Sequence, residues 1–342
     1  MSIYISISCF GTDAELEQTI KSAASNSVLN SGLHFGIALI GTREVNDGGK
    51  FISELIRDLP KTQEYTIREY GMLEQVGVGA ARNAAKSLYS GQDYFLQIDS
   101  HTYFSPSWDE VLVEYLERAK KITNNAKTVL TGTLGSYTYN EFGIISEQVT
   151  DGAGFYYSIW DGKKREGIIP SFEHDDARNV TATLMRMVSQ NGLCPSVKVT
   201  GAFMFGGKEF ANRRPLPEGI IFWEEEIIQS IELIDEGFSL ASPNTEAVLH
   251  HFYKYDETNT GRGKRTDADQ EYMDRGIDET ERKAQMLDMW RSYINNPANQ
   301  KKIKVFEKYA GIDLRSGLVK FRHPLYYANI GTLPLEGGQN VG

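Results

Sequence analysis

The segment Phe95–Phe104 reads FLQIDSHTYF, an apolar run that ends in an acid and an imidazole two residues apart. In an extended chain residues i and i+2 point to the same side, so Asp99 and His101 can form two corners of one site. A hard carboxylate beside a borderline imidazole, with positions left open for phosphate oxygens, suits Mn2+ or Mg2+. The same spacing also fits a plain turn, with Asp99 closing it and His101 half exposed. Where the pair lies in the fold decides between the two readings.

The first hundred residues alternate two periodicities. IYISISCF (Ile3 to Phe10) is strand-like, and DAELEQTIKSAASN follows with Asp13 as the expected N-cap and Leu16, Ile20 and Ala23 at helical spacing. LHFGIALI is a second strand, and GGKFISELIRDL is a helix closed by Pro60. EYTIREY, GVGAARNAAKSLYS and DYFLQID read as strand, helix and strand. This alternation predicts an α/β fold with a mainly parallel sheet and helices on both faces. In open α/β sheets ligands bind at the carboxyl ends of the strands. Asp99 ends the fourth strand, and Ser8, Cys9 and Phe10 end the first, so position favours the metal reading.

Further on, SPSWDEVLVEYLERAKK predicts a helix, KTVLTGTLG a strand, and VKVTGAFMFGGKEF a strand followed by a turn. WEEEIIQSIELIDEGF is an amphipathic helix with Ile227, Ile231 and Ile234 on one stripe and Gly237 near its stop; EAVLHHFY is a late strand. Residues 254–288 hold few large apolar side chains and read as a mobile loop and linker. Residues 289–342 regain Trp290, Tyr293, Phe306, Tyr309 and Phe321, which predicts a small C-terminal helical appendage.

With 342 residues, 40% of them hydrophobic and 11% aromatic, the chain can bury a substantial core, which excludes disorder throughout. A formal net charge of −10 argues against a general nucleic-acid coat, because phosphate binding rests on Lys and Arg. Cys9 and Cys194 make neither a disulfide framework nor a CxxC pair. The N-terminal MSIYISISCF lacks the basic region of a signal peptide. No apolar run reaches the roughly 20 residues of a membrane helix. A cytoplasmic protein with no membrane segment is expected.

YFLQIDSHTYFSPSWD resembles the metal-binding, DXD-like stretch of the GT-A glycosyltransferases. It is most similar to the family that transfers N-acetylglucosamine to hydroxyproline on a cytoplasmic ubiquitin-ligase subunit, and more distantly to the polypeptide N-acetylgalactosaminyltransferases. SISCFGTDAELEQTIKSA, VGVGAARNAAKSLYSGQDYF and FWEEEIIQSIELIDEGFSLASPNTEAVLHHFY resemble other pieces of that family, in family order. The resemblance implies a GT-A (Rossmann-like) domain over residues 1–253. It reaches no further than this domain.

The resemblance also implies a site. Asp99 and His101 would bind a metal that bridges a donor diphosphate, with His250 as third ligand and its neighbour His251 as the competing candidate. Arg82 and Asn83, on the helix after GVGA, look like the family's donor-contacting pair, and a guanidinium at a helix N-terminus suits phosphate. Phe10, Gly11 and Asp13 lie on the loop that holds the nucleotide base in such folds; here CFGTD stands where relatives carry a Tyr-Arg-Asp triplet. Glu225 and Glu226 match two family glutamates that face the transferred sugar, while Glu224 replaces a glycine. Three consecutive acids point in different directions around a helix, so one or two at most can face a site. Gly201 and Ala202 offer a close backbone approach to the sugar, or ordinary strand packing. In GRGKR, Arg262, Lys264 and Arg265 lie on a segment that can fold over a diphosphate.

The expected activity is metal-dependent transfer of a sugar from a nucleotide sugar, a UDP-sugar by resemblance, with retention. The expected acceptor is a protein side-chain hydroxyl. Hydroxymethylated bases of DNA form the alternative, supported by a basic strip of Lys163, Lys164, Arg165, Arg213 and Arg214. A glycan acceptor and a non-catalytic nucleotide-sugar-binding module complete the set. Asp99, His101 and the distant His250 speak against the last, since a degenerate enzyme need not keep all three.

Overall fold

The β-branched and apolar runs of the first hundred residues fold into β1 (Ile3–Phe10), β2 (Leu33–Ile40), β3 (Glu64–Tyr70) and β4 (Tyr94–Asp99). Between them lie α1 (Leu16–Asn26), α2 (Gly48–Asp58) and α3 (Val78–Lys86). The computed structural model describes residues 1–11, 13, 15–29, 32–41, 48–71, 76–132, 134–139, 145–148, 154–157, 182–185, 192–222, 224–251, 276–311 and 313–315. Chain order continues with β5 (Thr102–Phe104), α4 (Trp108–Thr123), β6 (Thr128–Thr131), β7 (Gly135–Tyr139), β8 (Ile145–Gln148), β9 (Gly154–Tyr157), β10 (Ala182–Met185), β11 (Leu193–Pro195) and β12 (Phe203–Gly207). It ends with α5 (Lys208–Ala211), α6 (Glu224–Asp235), β13 (Ser239–Pro243), β14 (Val248–His250), α7 (Glu279–Asn295) and α8 (Gln300–Ala310).

The central sheet has eight strands in the order β11-β13-β6-β12-β4-β1-β2-β3. β3, β2, β1 and β4 are parallel neighbours, as the strand-helix alternation predicts. β12 enters antiparallel between β4 and β6, because it returns from a long excursion rather than from a crossover helix. β2 is buried along its whole length, which explains its unbroken apolar run: a parallel strand covered on both faces needs no polar alternation. The turn expected after β12 is instead the short helix α5.

A second sheet, in the order β5-β14-β7-β8, abuts the carboxyl end of β4. β14 runs antiparallel to β5, with His250 opposite Thr102 and Leu249 opposite Tyr103. This register sets His250 beside the Ser100–His101 link that joins β4 to β5. α1 fastens the same link. Its Thr19 hydroxyl donates to the Ser100 carbonyl at 2.7 Å and accepts from the Thr102 N–H at 2.9 Å.

Hydrophobic cores lie on both faces of the central sheet. One gathers Ile3, Ile5, Ile7, Leu16, Phe35 and Trp108. The other gathers Tyr4, Phe95 and the stripe Ile227, Ile231 and Ile234 of α6 together with Trp290, Tyr293, Ile303 and Phe306 of α7 and α8. The C-terminal helices pack on the main domain as expected and share its core. Among the described residues, no helix is long and apolar enough to cross a membrane.

Candidate active site

Asp99 and His101 come from the end of β4 and the link after it, and His250 from β14. One ligand atom from each lies within 4.8 Å of the others. His250 Nε2 is 3.1 Å from Asp99 Oδ2, and the rings of His250 and His101 meet edge to face with centroids 4.8 Å apart. Burial pushes the His250 imidazole down from its ordinary range, which favours the neutral form that a cation ligand needs. Burial alone would raise the Asp99 carboxyl. The Arg82 guanidinium and the His250 bond outweigh it and hold Asp99 far below the usual carboxylate range, so it stays ionised. Its side chain remains 26% exposed, which leaves an open side to the cluster.

His251 points the other way, as adjacent residues in a strand must. Its Nδ1 sits 2.9 Å from Glu15 Oε1, and its ring stacks on Tyr137, whose hydroxyl also reaches Glu15 at 3.1 Å. Of the two candidate histidines, the structure brings His250 to Asp99 and turns His251 to Glu15.

Arg82 is buried and cross-links the site from behind. Its guanidinium donates to Asp99 Oδ1 at 3.1 Å and to the Gly201 carbonyl, and pairs with Glu225 Oε1 at 3.3 Å. Burial opposes its charge, but Glu225 and Asp99 raise its pKa and keep it cationic. The guanidinium expected to contact a donor is thus committed to the protein. Asn83 is committed too, since its amide bonds the Leu216 backbone at both ends, at 2.9 and 2.8 Å. The N-terminus of α3 is not open to phosphate. Val78 N–H donates to the Ile221 carbonyl at 2.9 Å. Gly77 is glycine because its φ is +85° and a Cβ there would lie 2.3 Å from the Ile220 carbonyl oxygen.

The three acids of WEEE separate as helical geometry requires. Glu224 folds back on its own helix start and accepts the Ile221 and Phe222 N–H groups at 2.5 and 3.2 Å. Glu225, 2% exposed, faces Arg82, and burial pushes its carboxyl up to about 7. Glu226 stays partly exposed, accepts the Gly201 N–H at 3.0 Å and pairs with Lys198. Gly201 is small for a reason other than close approach to a sugar: a Cβ there would lie 2.5 Å from Glu225 Oε2 and 2.7 Å from Arg82 Nη2. Gln97, two residues before Asp99 on the same strand, donates to the Gly201 carbonyl at 2.9 Å. Sequence reasoning passed over Gln97 and Lys198, although the i, i+2 alternation marks Gln97 as sharing a face with Asp99.

Phe10 packs beside Ala38, Ile40, Ala84 and Ala85 under α3. Asp13 is neither an exposed base contact nor the cap of α1, whose first residue is Leu16. Its side chain is fully buried under His101. Arg262, Lys264 and Arg265 lie outside the described residues, as do Lys163, Lys164 and Arg165. The described part of the basic strip is neutralised: buried Arg213 pairs with Glu236, and Arg214 with Glu232 and Glu236.

No curated protein matches the chain in sequence. Among the solved structures that it resembles, two align over 90% of it. A crystal structure of GalNAc-T7 with UDP, GalNAc and Mn2+ is 15% identical, is covered over 54% of its own chain and gives a TM-score of 0.47. S. aureus TarS is 9% identical, is covered over 42% and gives 0.44. The chain thus spans about half the length of the solved proteins it matches. The sequence profile of the Glycosyltransferase (GlcNAc) family matches residues 57–310, taking in α3, the Asp99 cluster, α6 and both C-terminal helices. That match covers well over half of the residues, and the chain belongs to the glycosyltransferase (GlcNAc) family.

Proposed function

We propose that the protein is a divalent-metal-dependent transferase of GT-A type that moves a sugar from a UDP-sugar to an acceptor hydroxyl. The observation that carries this reading is the meeting of Asp99, His101 and His250 within 4.8 Å at the carboxyl edge of the sheet. One ionised carboxylate and two imidazoles, with an open side, fit Mn2+ or Mg2+. A cation held there would act as a Lewis acid toward the charge that develops on a departing diphosphate.

The chain's own residues divide the remaining work. Asp99, His101 and His250 hold the cation. Arg82 keeps Asp99 ionised and aimed, and Glu225 balances Arg82 from the buried side. Glu226, partly exposed and anchored by Gly201 and Lys198, is the acid placed to meet sugar hydroxyls. The resemblance to the hydroxyproline N-acetylglucosaminyltransferases supports a protein side-chain hydroxyl as acceptor, retention at the anomeric carbon and action in the cytoplasm. Arg213 and Arg214, each paired with an acid, add no support for a DNA acceptor.

The test is calorimetric titration of a panel of UDP-sugars with Mn2+ present, followed by assay of slow donor hydrolysis. One UDP-sugar is expected to bind and to be hydrolysed, and Asp99→Ala to abolish the metal-dependent rate without unfolding the chain. Absence of binding to every nucleotide sugar, or activity that survives Asp99→Ala, would overturn the reading.

A further inference from the structure

The loop between β1 and α1 carries an acid in the place where a nucleotide base is expected, yet that acid has no exposed surface. Among the described residues, every contact of Asp13 is internal. Its Oδ1 accepts the Glu15 N–H at 2.9 Å. Its Oδ2 accepts the Ser100 hydroxyl at 2.6 Å and faces His101 Nδ1 at 3.3 Å. Ser100 lies between Asp99 and His101, so one carboxylate grips the two residues that shape the link. Its side chain is 0% exposed, which leaves no face for a ligand base.

A neutral imidazole has one donor nitrogen and one acceptor nitrogen, and the group bonded to one fixes the role of the other. An ionised carboxylate accepts and does not donate. Asp13 sits as such an acceptor: its Oδ1 takes the Glu15 N–H and its Oδ2 the Ser100 hydroxyl. The nitrogen facing it, Nδ1, must therefore carry the proton, and Nε2 is left with the lone pair. The ring is held in place from a second side by its edge-to-face contact with His250 at 4.8 Å.

We infer that Asp13 is a positioning residue that fixes the tautomer and ring orientation of His101 for cation binding, and that it does not contact the donor base. The inference rests on the proposed reading of Asp99, His101 and His250 as cation ligands. Outer partners of metal-binding histidines typically carry 10- to 100-fold in metal affinity.

Two measurements on the full chain test it. In metal-free wild-type protein labelled with 15N-histidine, long-range proton–nitrogen correlation at pH 8 reads the His101 tautomer directly. The Nδ1–H form is expected, and the Nε2–H form overturns the inference, with no variant required. Electron paramagnetic resonance then follows Mn2+ binding without nucleotide in wild type and in Asp13→Asn. The variant is expected to bind about 10- to 100-fold more weakly and to show mixed His101 tautomers. Equal affinity overturns Asp13's role while leaving the cation site standing; a wild type that takes no Mn2+ overturns the cation site itself. Uridine, a nucleoside with no phosphate, separates the rival. Equal uridine binding by both proteins is expected, and its loss in Asp13→Asn would return Asp13 to base recognition.

Discussion

His250 and Asp99 stand 151 residues apart in the chain, and their side chains meet at 3.1 Å. The contact joins two sheets, since Asp99 ends a strand of the central sheet and His250 lies in the smaller one. The pairing of β14 with β5 makes it possible, because that register sets His250 against the link carrying His101. His251 follows His250 directly but turns to the other side, toward Glu15.

The two histidines should therefore respond differently to substitution. His250→Ala removes a ligand and is expected to weaken Mn2+ binding beyond the roughly 100-fold upper range of outer partners. His251→Ala removes the partner of Glu15 and is expected to weaken it about tenfold or less. Paramagnetic titration of both variants compares them. Equal losses would show that the two side chains do not divide as the geometry has them.

Arg82 carries a heavier structural load than a donor-binding arginine would. Removing it as Arg82→Met leaves Asp99 and Glu225 without their cation, and breaking a buried pair on one side costs about 3–5 kcal/mol. Arg82→Lys should recover only part of that, because an ammonium cannot reproduce the fork that reaches Asp99, the Gly201 carbonyl and Glu225 together. Urea unfolding of the two variants measures both losses. In Arg82→Met/Glu225→Gln the loss should be smaller than in Arg82→Met alone, the sign of a coupled pair.

The parts of this site that were legible in the sequence are those set by local rules. Asp99 and His101 showed because two-residue alternation and the end of an apolar strand are local signals. The parallel pairing of the first four strands, though not their order, showed for the same reason, through the alternation of strands and helices. His250 entered only by family resemblance, since nothing local links it to a residue so far away. Gly77 showed only as the first residue of GVGA, and its shape answers to Ile220, which no local pattern announces. Asp13 read as a helix cap because caps are assigned by sequence offset. Its actual partners, Ser100 and His101, arrive by tertiary packing. Arg82 and Asn83 entered by family resemblance, as a donor-contacting pair. Their partners were not legible, because Gly201 and Leu216 lie 119 and 133 residues further along the chain.

The buried glutamates give the metal-free protein a defined pH dependence. Burial raises Glu225 from an ordinary 4.5 to about 7, and burial likewise raises Glu224 to about 7 against the bonds from Ile221 and Phe222. Between those limits the folded chain holds protons that the unfolded chain releases. Raising pH through the window therefore lowers stability. The effect is of the order of 1–3 kcal/mol. Asp99 and Asp13 act in the opposite sense: their contribution is present above an ordinary 3.8 and is lost as pH falls through their lowered folded values. The urea midpoint is expected to be higher at pH 5 than at pH 8, and Glu225→Gln should flatten the difference. A midpoint that rises from pH 5 to pH 8 would show that Glu225 is ionised throughout.

The C-terminal helices make a final prediction, because they share a core with α6. Trp290 is 2% exposed and stacks on Tyr293, whose hydroxyl donates to Glu232 of α6 at 2.7 Å. Met286 packs on Ile221, in the segment that closes the N-terminus of α3 and leads into Glu224, Glu225 and Glu226. Truncating a buried tryptophan costs about 3–5 kcal/mol. Trp290→Ala is therefore expected to lower the midpoint of one cooperative thermal transition that includes the whole sheet. A chain ending at residue 275 should lose that transition, since α6 would expose the face that Trp290, Tyr293, Ile303 and Phe306 cover. An independent appendage would behave otherwise: the shortened chain would melt at the midpoint of the full one and bind Mn2+ as tightly. Circular dichroism with temperature, run beside Mn2+ titration, separates the two cases, because only a shared core couples the distant helices to the stability of the Asp99 cluster.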